Sequence, residues 1–244
     1  MRLLHHAFAT SYPALNLFRR FGHFTGYDRS TCLRVLLYHD IAPEEHENFE
    51  RQLGWLSRHW TFISPEHFAA VISGKETIQN KSLLLTFDDG FASNLTVAEK
   101  ILNPMGIQAL FFVVSDLVAI EDNEEARQFI VRHVQPGLSM EKLPPYLNSM
   151  KWSDLEYLLE QGHTIGAHTR SHARLSEISS SGGLEDEIVS SADSLGNHLG
   201  VNIEHFAYTF GDLASFSSQS LSVAQKRFRY VYSSLRGNNT IGTS

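Results

Sequence analysis

Two acidic side chains stand next to each other at the end of an unbroken apolar run. Residues 83–91 read Leu-Leu-Leu-Thr-Phe-Asp-Asp-Gly-Phe, and a run without polar alternation is typical of a strand that is covered on both faces. Neighbouring side chains of a strand point to opposite faces, so Asp88 and Asp89 can share a site only if the chain turns, which Gly90 favours. Because adjacent carboxylates repel each other, a proton or a cation must neutralise one of them.

Two histidines later in the chain supply the other half of a candidate metal site. His168 and His172 follow a short apolar segment, and on one turn of helix a spacing of four places both imidazoles on the same side. Together with Asp89 they would give a divalent ion three protein ligands and leave positions open for water and substrate. The plain alternatives are an acidic pair that caps a helix and histidines that lie on the surface. The combination favours the metal site.

These two segments resemble the first two motifs of the polysaccharide deacetylases, the NodB-homology domain of carbohydrate esterase family 4. Residues 86–90 read Thr-Phe-Asp-Asp-Gly and residues 168–172 read His-Thr-Arg-Ser-His. The pair in this order and at this separation is fairly specific, whereas either segment alone would be a weak signal. The resemblance runs from about residue 33 to about residue 235, in the order of strands and helices as well as in the motifs.

The resemblance implies a role for each of these side chains. Asp88 is expected to be the general base, and Asp89, His168 and His172 are expected to hold one divalent metal ion. One carboxylate and two imidazoles suit zinc best, with cobalt, nickel, manganese and iron as alternatives.

The general acid must be sought elsewhere in the chain. Most family members carry it in a C-terminal Leu-x-His motif, which this sequence lacks. A subgroup resembling poly-N-acetylglucosamine deacetylases carries the histidine after an early strand instead, and Tyr-His-Asp at residues 38–40 fits that layout. We therefore assign His39 as the acid, with Asp40 orienting its ring. The alternative is a packed or capping histidine.

The third family motif is only partly present. Residues 205–211 read His-Phe-Ala-Tyr-Thr-Phe-Gly, and their aromatic-glycine end matches the family pattern. The resemblance implies that the backbone N–H of Phe210 helps to hold an oxyanion, and Tyr208 is grouped with it as an oxyanion or substrate contact. His205 stands where the family has an arginine, so the usual partner of the catalytic aspartate is unidentified.

Composition narrows the range of partners. The 244 residues carry a formal charge of −7 and no long basic run, which argues against a nucleic-acid partner. The single cysteine, Cys32, excludes an internal disulfide and a cysteine-based zinc site. No apolar run reaches the roughly 20 residues that span a bilayer. Residues 1–20 lack the hydrophobic core and cleavage site of a signal peptide, so we expect a cytoplasmic or peripheral protein.

The order of elements predicts a parallel α/β barrel with its site at the C-terminal ends of the strands. The resemblance implies an irregular (β/α) barrel of about seven strands, formed by a NodB-homology domain at residues 31–244. Residues 1–30 are expected to form an N-terminal arm that packs on its own domain, with peripheral contact to a membrane surface as the alternative. Residues 124–150 are expected to carry substrate-specific surface, and residues 179–183 to form a Ser/Gly-rich link. Since the C-terminal residues are polar, a closing strand could be missing.

The leading functional hypothesis is a metal-dependent polysaccharide deacetylase. It would hydrolyse the N-acetyl group of an amino sugar in a glycan, an amide C–N bond outside a peptide, and release acetate. An O-acetyl glycan esterase would use the same residues. A catalytically silent carbohydrate-binding relative would lack a base or a ligand, and neither is lost here. A phospho-receiver domain would need an acceptor aspartate on a separate strand with a partner lysine, and no such set is apparent.

Overall fold

Seven short parallel strands frame the protein in the computed structural model, which describes residues 31–239. The strands are β1 (Leu33–Tyr38), β2 (Thr61–Phe62), β3 (Ser82–Phe87), β4 (Ala109–Val113), β5 (Thr164–Ala167), β6 (His205–Ala207) and β7 (Tyr230–Tyr232). All six residues of β3 are buried, as the apolar run with its leucines predicts for a central strand.

Helices alternate with these strands along the chain. They are α1 (His46–Leu56), α2 (Pro65–Ile72), α3 (Ala92–Val97), α4 (Asn103–Met105), α5 (Ser115–Val118), α6 (Asn123–Phe129), α7 (Trp152–Glu160), α8 (Ser181–Leu199) and α9 (Ser218–Arg227). A wider π turn joins α3 to α4, and another, Ile130–Val134, extends α6. The predicted Ser/Gly-rich link at residues 179–183 is wrong in part: α8 already begins at Ser181, because the Ser180 hydroxyl caps it by accepting from the Gly183 N–H at 3.2 Å.

The sheet is curled and remains open along one seam. Its strand order is β1-β3-β4-β5-β6-β7, and β2 pairs only with the first two residues of β3. Within residues 31–239 the edge strands β1 and β7 do not pair with each other. Residues 233–239 cross this seam and are hydrogen-bonded on both sides of it. On one side the Ser234 N–H donates to the Gly211 carbonyl (3.0 Å), and on the other the Asn239 N–H donates to the Leu33 carbonyl (2.8 Å). The predicted irregular barrel is confirmed.

Side chains alternate between the two faces of the curled sheet. On β4, Phe111 belongs to the large core between sheet and helices, whereas Leu110 and Phe112 belong to a smaller core inside the curl. Gly166 on β5 makes room for that inner packing, because a Cβ there would lie 2.7 Å from the Phe112 ring. The side chains on the inner face of the sheet therefore lie next to the residues that follow the strands at their C-terminal ends.

The segment between β4 and α7 forms a small core of its own. Its apolar side chains include Leu117, Ile130 and Leu147. The Arg127 guanidinium donates to the carbonyls of Pro144 and Leu147, at 2.8 Å each, and thereby fixes the loop that leads back to the sheet. This segment corresponds to the insertion that the prolines and glycine of the sequence predict.

None of the helices within residues 31–239 has the length and apolar character that crossing a bilayer requires. The predicted N-terminal arm, residues 1–30, lies outside the described residues, as does its predicted membrane contact.

Candidate active site

The register of the sheet brings the predicted residues to one edge. β1 and β3 run in parallel with Tyr38 opposite Phe87, and the Asp88 N–H donates to the Tyr38 carbonyl at 2.9 Å. His39 and Asp88, which follow these two residues, therefore lie side by side at the strand ends. On β5, His168 continues the strand, and its N–H donates to the Val113 carbonyl at 3.0 Å.

Asp89 meets both histidines of the second motif. Its Oδ1 atom lies 3.5 Å from Nε2 of His168 and 3.3 Å from Nε2 of His172. One ligand atom from each of the three residues falls within 4.8 Å of the other two, and all three residues are buried. The structure thus brings together the three residues that the sequence predicts as metal ligands, although segments about eighty positions apart supply them.

Both imidazoles are oriented by backbone carbonyls. Nδ1 of His168 lies 2.9 Å from the Ala207 carbonyl oxygen, and Nδ1 of His172 lies 2.9 Å from the His133 carbonyl oxygen. A carbonyl can only accept, so each Nδ1 carries a proton and each Nε2 is free to present a lone pair to the interior of the site. Metal-binding histidines are commonly held in this way.

The donor set fits a divalent cation. Oδ1 of Asp89 is buried and has no hydrogen-bond partner among the described residues, although a buried carboxylate oxygen is costly to leave unsatisfied. Two Nε2 lone pairs converge on the same atom, and one carboxylate with two imidazoles is an established open ligand set for zinc and related ions.

The two adjacent carboxylates have opposite electrostatic environments. Burial raises the pKa of Asp88 to about 6, and the charge of Asp89 adds to this rise while His168 opposes it. Burial also acts to raise the pKa of Asp89, but the close approach of the His168 and His172 imidazoles outweighs it and holds that pKa below its usual range. The imidazoles therefore stabilise the charged form of Asp89, whereas burial favours the protonated form of its neighbour.

Left-handed backbone conformations are concentrated at this site. The non-glycine residues with positive φ in residues 31–239 are Asp89 (74°), Thr169 (59°), His172 (63°) and Phe210 (64°). Each belongs to one of the three sequence motifs. Such conformations cost of the order of 1 to 3 kcal/mol each and tend to occur at functional sites, where the surrounding structure enforces them.

The loop between the two histidines corrects one expectation. The prediction placed His168 and His172 on one turn of helix. The structure has them in a loop after β5, with Thr169 and His172 in the left-handed region. The imidazoles converge through this folded loop and not through helical spacing.

His39 is exposed and lines the same cavity as Asp88, a cleft of about 1350 Å³ that continues along the open seam. Its charge acts to lower the pKa of Asp88, which reflects their proximity. Asp40 has a different partner from the one expected. Its Oδ2 atom accepts from the Tyr146 hydroxyl at 2.9 Å, so the Asp40 carboxylate links the strand end to the insertion.

The third motif forms a tight turn beside the histidines. The Phe210 ring packs edge to face on His172, with centroids 5.0 Å apart, and the Arg174 guanidinium lies over it at 4.1 Å. Ser234 fixes the turn from the seam, since its N–H donates to the Gly211 carbonyl (3.0 Å) and its hydroxyl to the Phe210 carbonyl (3.2 Å). No acceptor for the Phe210 N–H is present among the described residues.

The Tyr208 side chain, unlike that of Phe210, does not lie beside the histidines. Its ring is buried in the core, 4.7 Å from Phe216 and 5.2 Å from Phe206 between ring centroids. Tyr208 nevertheless also borders the cleft.

His205 stands at the motif position of the missing arginine but does not pair with the Asp88 carboxylate as that arginine would. Its Nδ1 lies 2.9 Å from the Tyr232 hydroxyl, and burial, with help from Arg229, lowers its pKa to about 4. A neutral imidazole bound to Tyr232 does not supply a cation for Asp88. Oδ1 of Asp88 accordingly has no partner among the described residues.

Sequence comparison agrees with this geometry. A family model described as polysaccharide deacetylase matches residues 75–230, which is more than half of the chain. The chain belongs to the polysaccharide deacetylase family. A curated protein of this kind, YxkH of Bacillus subtilis, is 24% identical over 122 residues, which represent 47% of this chain and 43% of YxkH. This chain therefore matches less than half the length of that curated relative.

Solved structures share the polysaccharide deacetylase fold at low sequence identity. IcaB from Ammonifex degensii superposes with a TM-score of 0.71 at 20% identity, over 88% of this chain and 89% of that one. The Streptococcus pyogenes deacetylase PplD, solved in complex with acetate, gives 0.67 at 21% identity, over 86% and 87% of the two chains. A de-N-acetylase from Aggregatibacter actinomycetemcomitans gives 0.63 at 18% identity, over 86% and 91%.

Some contributors to the site have no signal in the sequence. The His133 carbonyl that orients His172 is a backbone atom 39 positions away, so no residue type marks it. Ser234, in the seam, is a common residue in an unremarkable segment. Glu187 on α8 binds the loop of the second motif, and only its burial distinguishes it from the other acidic residues of that helix.

Proposed function

We propose that this chain is a metal-dependent hydrolase that removes the acetyl group from an N-acetylated amino sugar in a glycan and releases acetate. Membership of the polysaccharide deacetylase family supports the reaction class. The observation that carries the proposal is the different placement of the two adjacent carboxylates. Oδ1 of Asp89 lies 3.5 Å from Nε2 of His168 and 3.3 Å from Nε2 of His172, whereas Asp88 borders the cleft and approaches His168 alone, at 3.9 Å.

Asp89, His168 and His172 would hold the divalent ion, with zinc as the best match to these ligands. Such an ion supplies Lewis-acid chemistry, because it increases the acidity of water and polarises a carbonyl oxygen. Asp88, which adjoins Asp89 in the chain, lines the cleft, so an acetamide in the cleft would lie next to these ligands.

Asp88 would act as the general base. It is buried, it borders the cleft, and its pKa of about 6 is suited to accepting a proton near neutral pH. It would take the proton from the water that attacks the acetamide carbonyl.

The developing negative charge on the carbonyl oxygen would be stabilised by a backbone donor. The Phe210 N–H lies in a turn that Ser234 fixes, and a donor that is already in place costs no reorganisation during the reaction. His39 would then donate a proton to the departing nitrogen, since an amine leaves far more readily than an amide anion. His39 is suited to this role because it lines the cleft next to Asp88.

The proposal is tested by measuring acetate release from oligomers of N-acetylglucosamine. The wild-type chain is expected to release acetate, and the Asp88→Asn variant to retain bound metal while its rate falls by at least about 100-fold, since it lacks the proton acceptor. Release only from O-acetylated glycans would indicate the esterase. Metal binding without release of acetate from any acetylated glycan would indicate a carbohydrate-binding relative.

A further inference from the structure

A buried acidic residue on α8 binds the loop between the two candidate metal-binding histidines. Glu187 is 8% exposed. Its Oε2 atom accepts from the backbone N–H groups of Arg170 (3.1 Å) and Ser171 (2.9 Å), and its Oε1 atom accepts from the Ser171 hydroxyl at 2.6 Å. Three donors from two consecutive residues thus converge on one carboxylate.

No arginine or lysine side chain neutralises this carboxylate among the described residues. The nearby Arg170 guanidinium is engaged by Asp186 at 2.8 Å and by Asp116 at 3.4 Å instead. A buried charge is costly unless it is hydrogen-bonded, and charge-assisted bonds from backbone N–H groups are among the strong ones. The arrangement therefore couples the burial of Glu187 to a single conformation of the loop.

The loop needs such support because its backbone is strained. Thr169 and His172 both have positive φ, which side chains other than glycine rarely adopt. A second bond from α8 acts in the same sense, since the Ser191 hydroxyl donates to the Thr169 carbonyl at 2.9 Å. These bonds from α8 thus stabilise the backbone conformation in which both imidazoles approach Asp89.

We propose that Glu187 is a positioning residue that presets the 168–172 loop for metal binding. It touches neither the ligand atoms nor the cleft, and it acts through the backbone of Arg170 and Ser171. This inference rests on the proposed metal site, but not on the identity of the substrate.

The test is a titration of the metal-free protein with Zn²⁺, in which binding is measured by calorimetry or by competition with a chromophoric chelator. Glu187→Asp keeps the charge but withdraws the carboxylate by about 1.5 Å, so the three bonds cannot all form, and Zn²⁺ affinity is expected to fall at least about tenfold. Glu187→Gln can still accept both N–H bonds at its oxygen and donate to the Ser171 hydroxyl. It should remain within about threefold of the wild type.

Glu185, which is exposed on the same helix, provides the matched control. Glu185→Asp and Glu185→Gln should leave the Zn²⁺ affinity unchanged. Thermal unfolding supplies a second readout, because a ligand that binds more weakly raises the melting temperature less, so zinc should stabilise Glu187→Asp less than it stabilises the Glu185 variants.

Equal Zn²⁺ affinity in folded Glu187→Asp and in the wild type would overturn the inference. So would a Glu187→Gln variant as weak as Glu187→Asp, since that result would make the charge, and not the placement of the loop, the important property. The titration needs no glycan. A wild-type chain that binds zinc but releases no acetate would therefore contradict the proposed deacetylase function without contradicting this inference.

Discussion

Asp89 and His172 contact each other through Oδ1 and Nε2 at 3.3 Å, and both hold a left-handed backbone, with φ of 74° and 63°. Each residue is thus turned out of the regular path of its chain so that its side chain reaches the other. The free energy of this strain, of the order of 1 to 3 kcal/mol per residue, would be offset by the surrounding hydrogen bonds and, in the proposed function, by the bound ion.

The same chemical change should weaken metal binding at one of two neighbouring positions and leave it unchanged at the other. Asp89→Asn removes the ligand charge, so the affinity for zinc is expected to fall at least about 100-fold, as equilibrium dialysis with metal analysis would measure. Asp88→Asn should bind zinc as the wild type does, because Asp88 lies outside the ligand set. Equal metal loss in both variants would contradict the separation of roles.

Replacing the proposed acid should affect turnover and spare the metal. His39 lines the cleft but is not among the ligands, so His39→Ala is expected to retain the metal content of the wild type. The rate of acetate release should fall about 100-fold or more, in the range of a lost general acid. The exposed residue His59 gives a control, and His59→Ala should retain full activity. Wild-type rates in His39→Ala would remove His39 from the mechanism.

The turn that carries the Phe210 N–H can be disturbed through Gly211. This glycine has φ of 64°, and a Cβ on it would lie 2.7 Å from the Ser234 backbone nitrogen. Gly211→Ala should displace the turn and lower the rate of acetate release about 10- to 100-fold, approaching the cost of a lost oxyanion donor.

A matched control for Gly211 exists at the end of α8. Gly200 has a similar φ of 67°, but a Cβ on it would meet nothing within 4 Å. Gly200→Ala should therefore cost a similar strain of about 1 to 2 kcal/mol and leave the rate unchanged. Equal rates in the two variants would exclude a role for the Phe210 turn.

His163 should make the stability of the protein depend on pH. The Ala109 N–H donates to its Nδ1 at 3.0 Å, so that nitrogen carries no proton, and burial lowers the pKa of His163 from 6.5 to about 4. The folded state therefore resists a proton that the unfolded state accepts. Stability attributable to this residue is fully present above pH 6.5 and is lost as the pH falls from 6.5 towards 4, by about 1.4 kcal/mol per pH unit.

The variant that tests this effect is His163→Asn, which keeps an acceptor near the Ala109 N–H but cannot be protonated in this range. Urea unfolding at pH 7.5, 6.5, 5.5 and 4.5 should show a shallower loss of stability below pH 6.5 in His163→Asn than in the wild type. The variant at the exposed residue His59, His59→Asn, should retain the wild-type slope. An unchanged slope in His163→Asn would show that the pKa of His163 is the same in the folded and unfolded protein.

Much of the site could be predicted from the sequence because strand ends have simple signatures. The apolar run before Asp88 predicts a buried strand, and a parallel sheet then places the polar residues after each strand at one edge. The convergence of Asp89, His168 and His172 follows from this rule and from the family motifs.

The local conformation around the histidines could not be predicted in the same way. Spacing alone suggested a helical turn, whereas Thr169 and His172 adopt φ values for which the sequence offers neither glycine nor asparagine as a signal. The loop is enforced by Glu187 and the His133 carbonyl. Such long-range contacts depend on how α8 and the insertion pack, which no local pattern encodes.

The most direct test of the central claim is the dependence of acetate release on the metal. The purified wild-type chain should lose its activity on oligomers of N-acetylglucosamine after removal of divalent ions with a chelator, and regain it when about one equivalent of zinc or a similar divalent ion is added. Asp89→Asn should not respond to the added ion. Acetate release that persists at full rate in the metal-free protein would contradict the account.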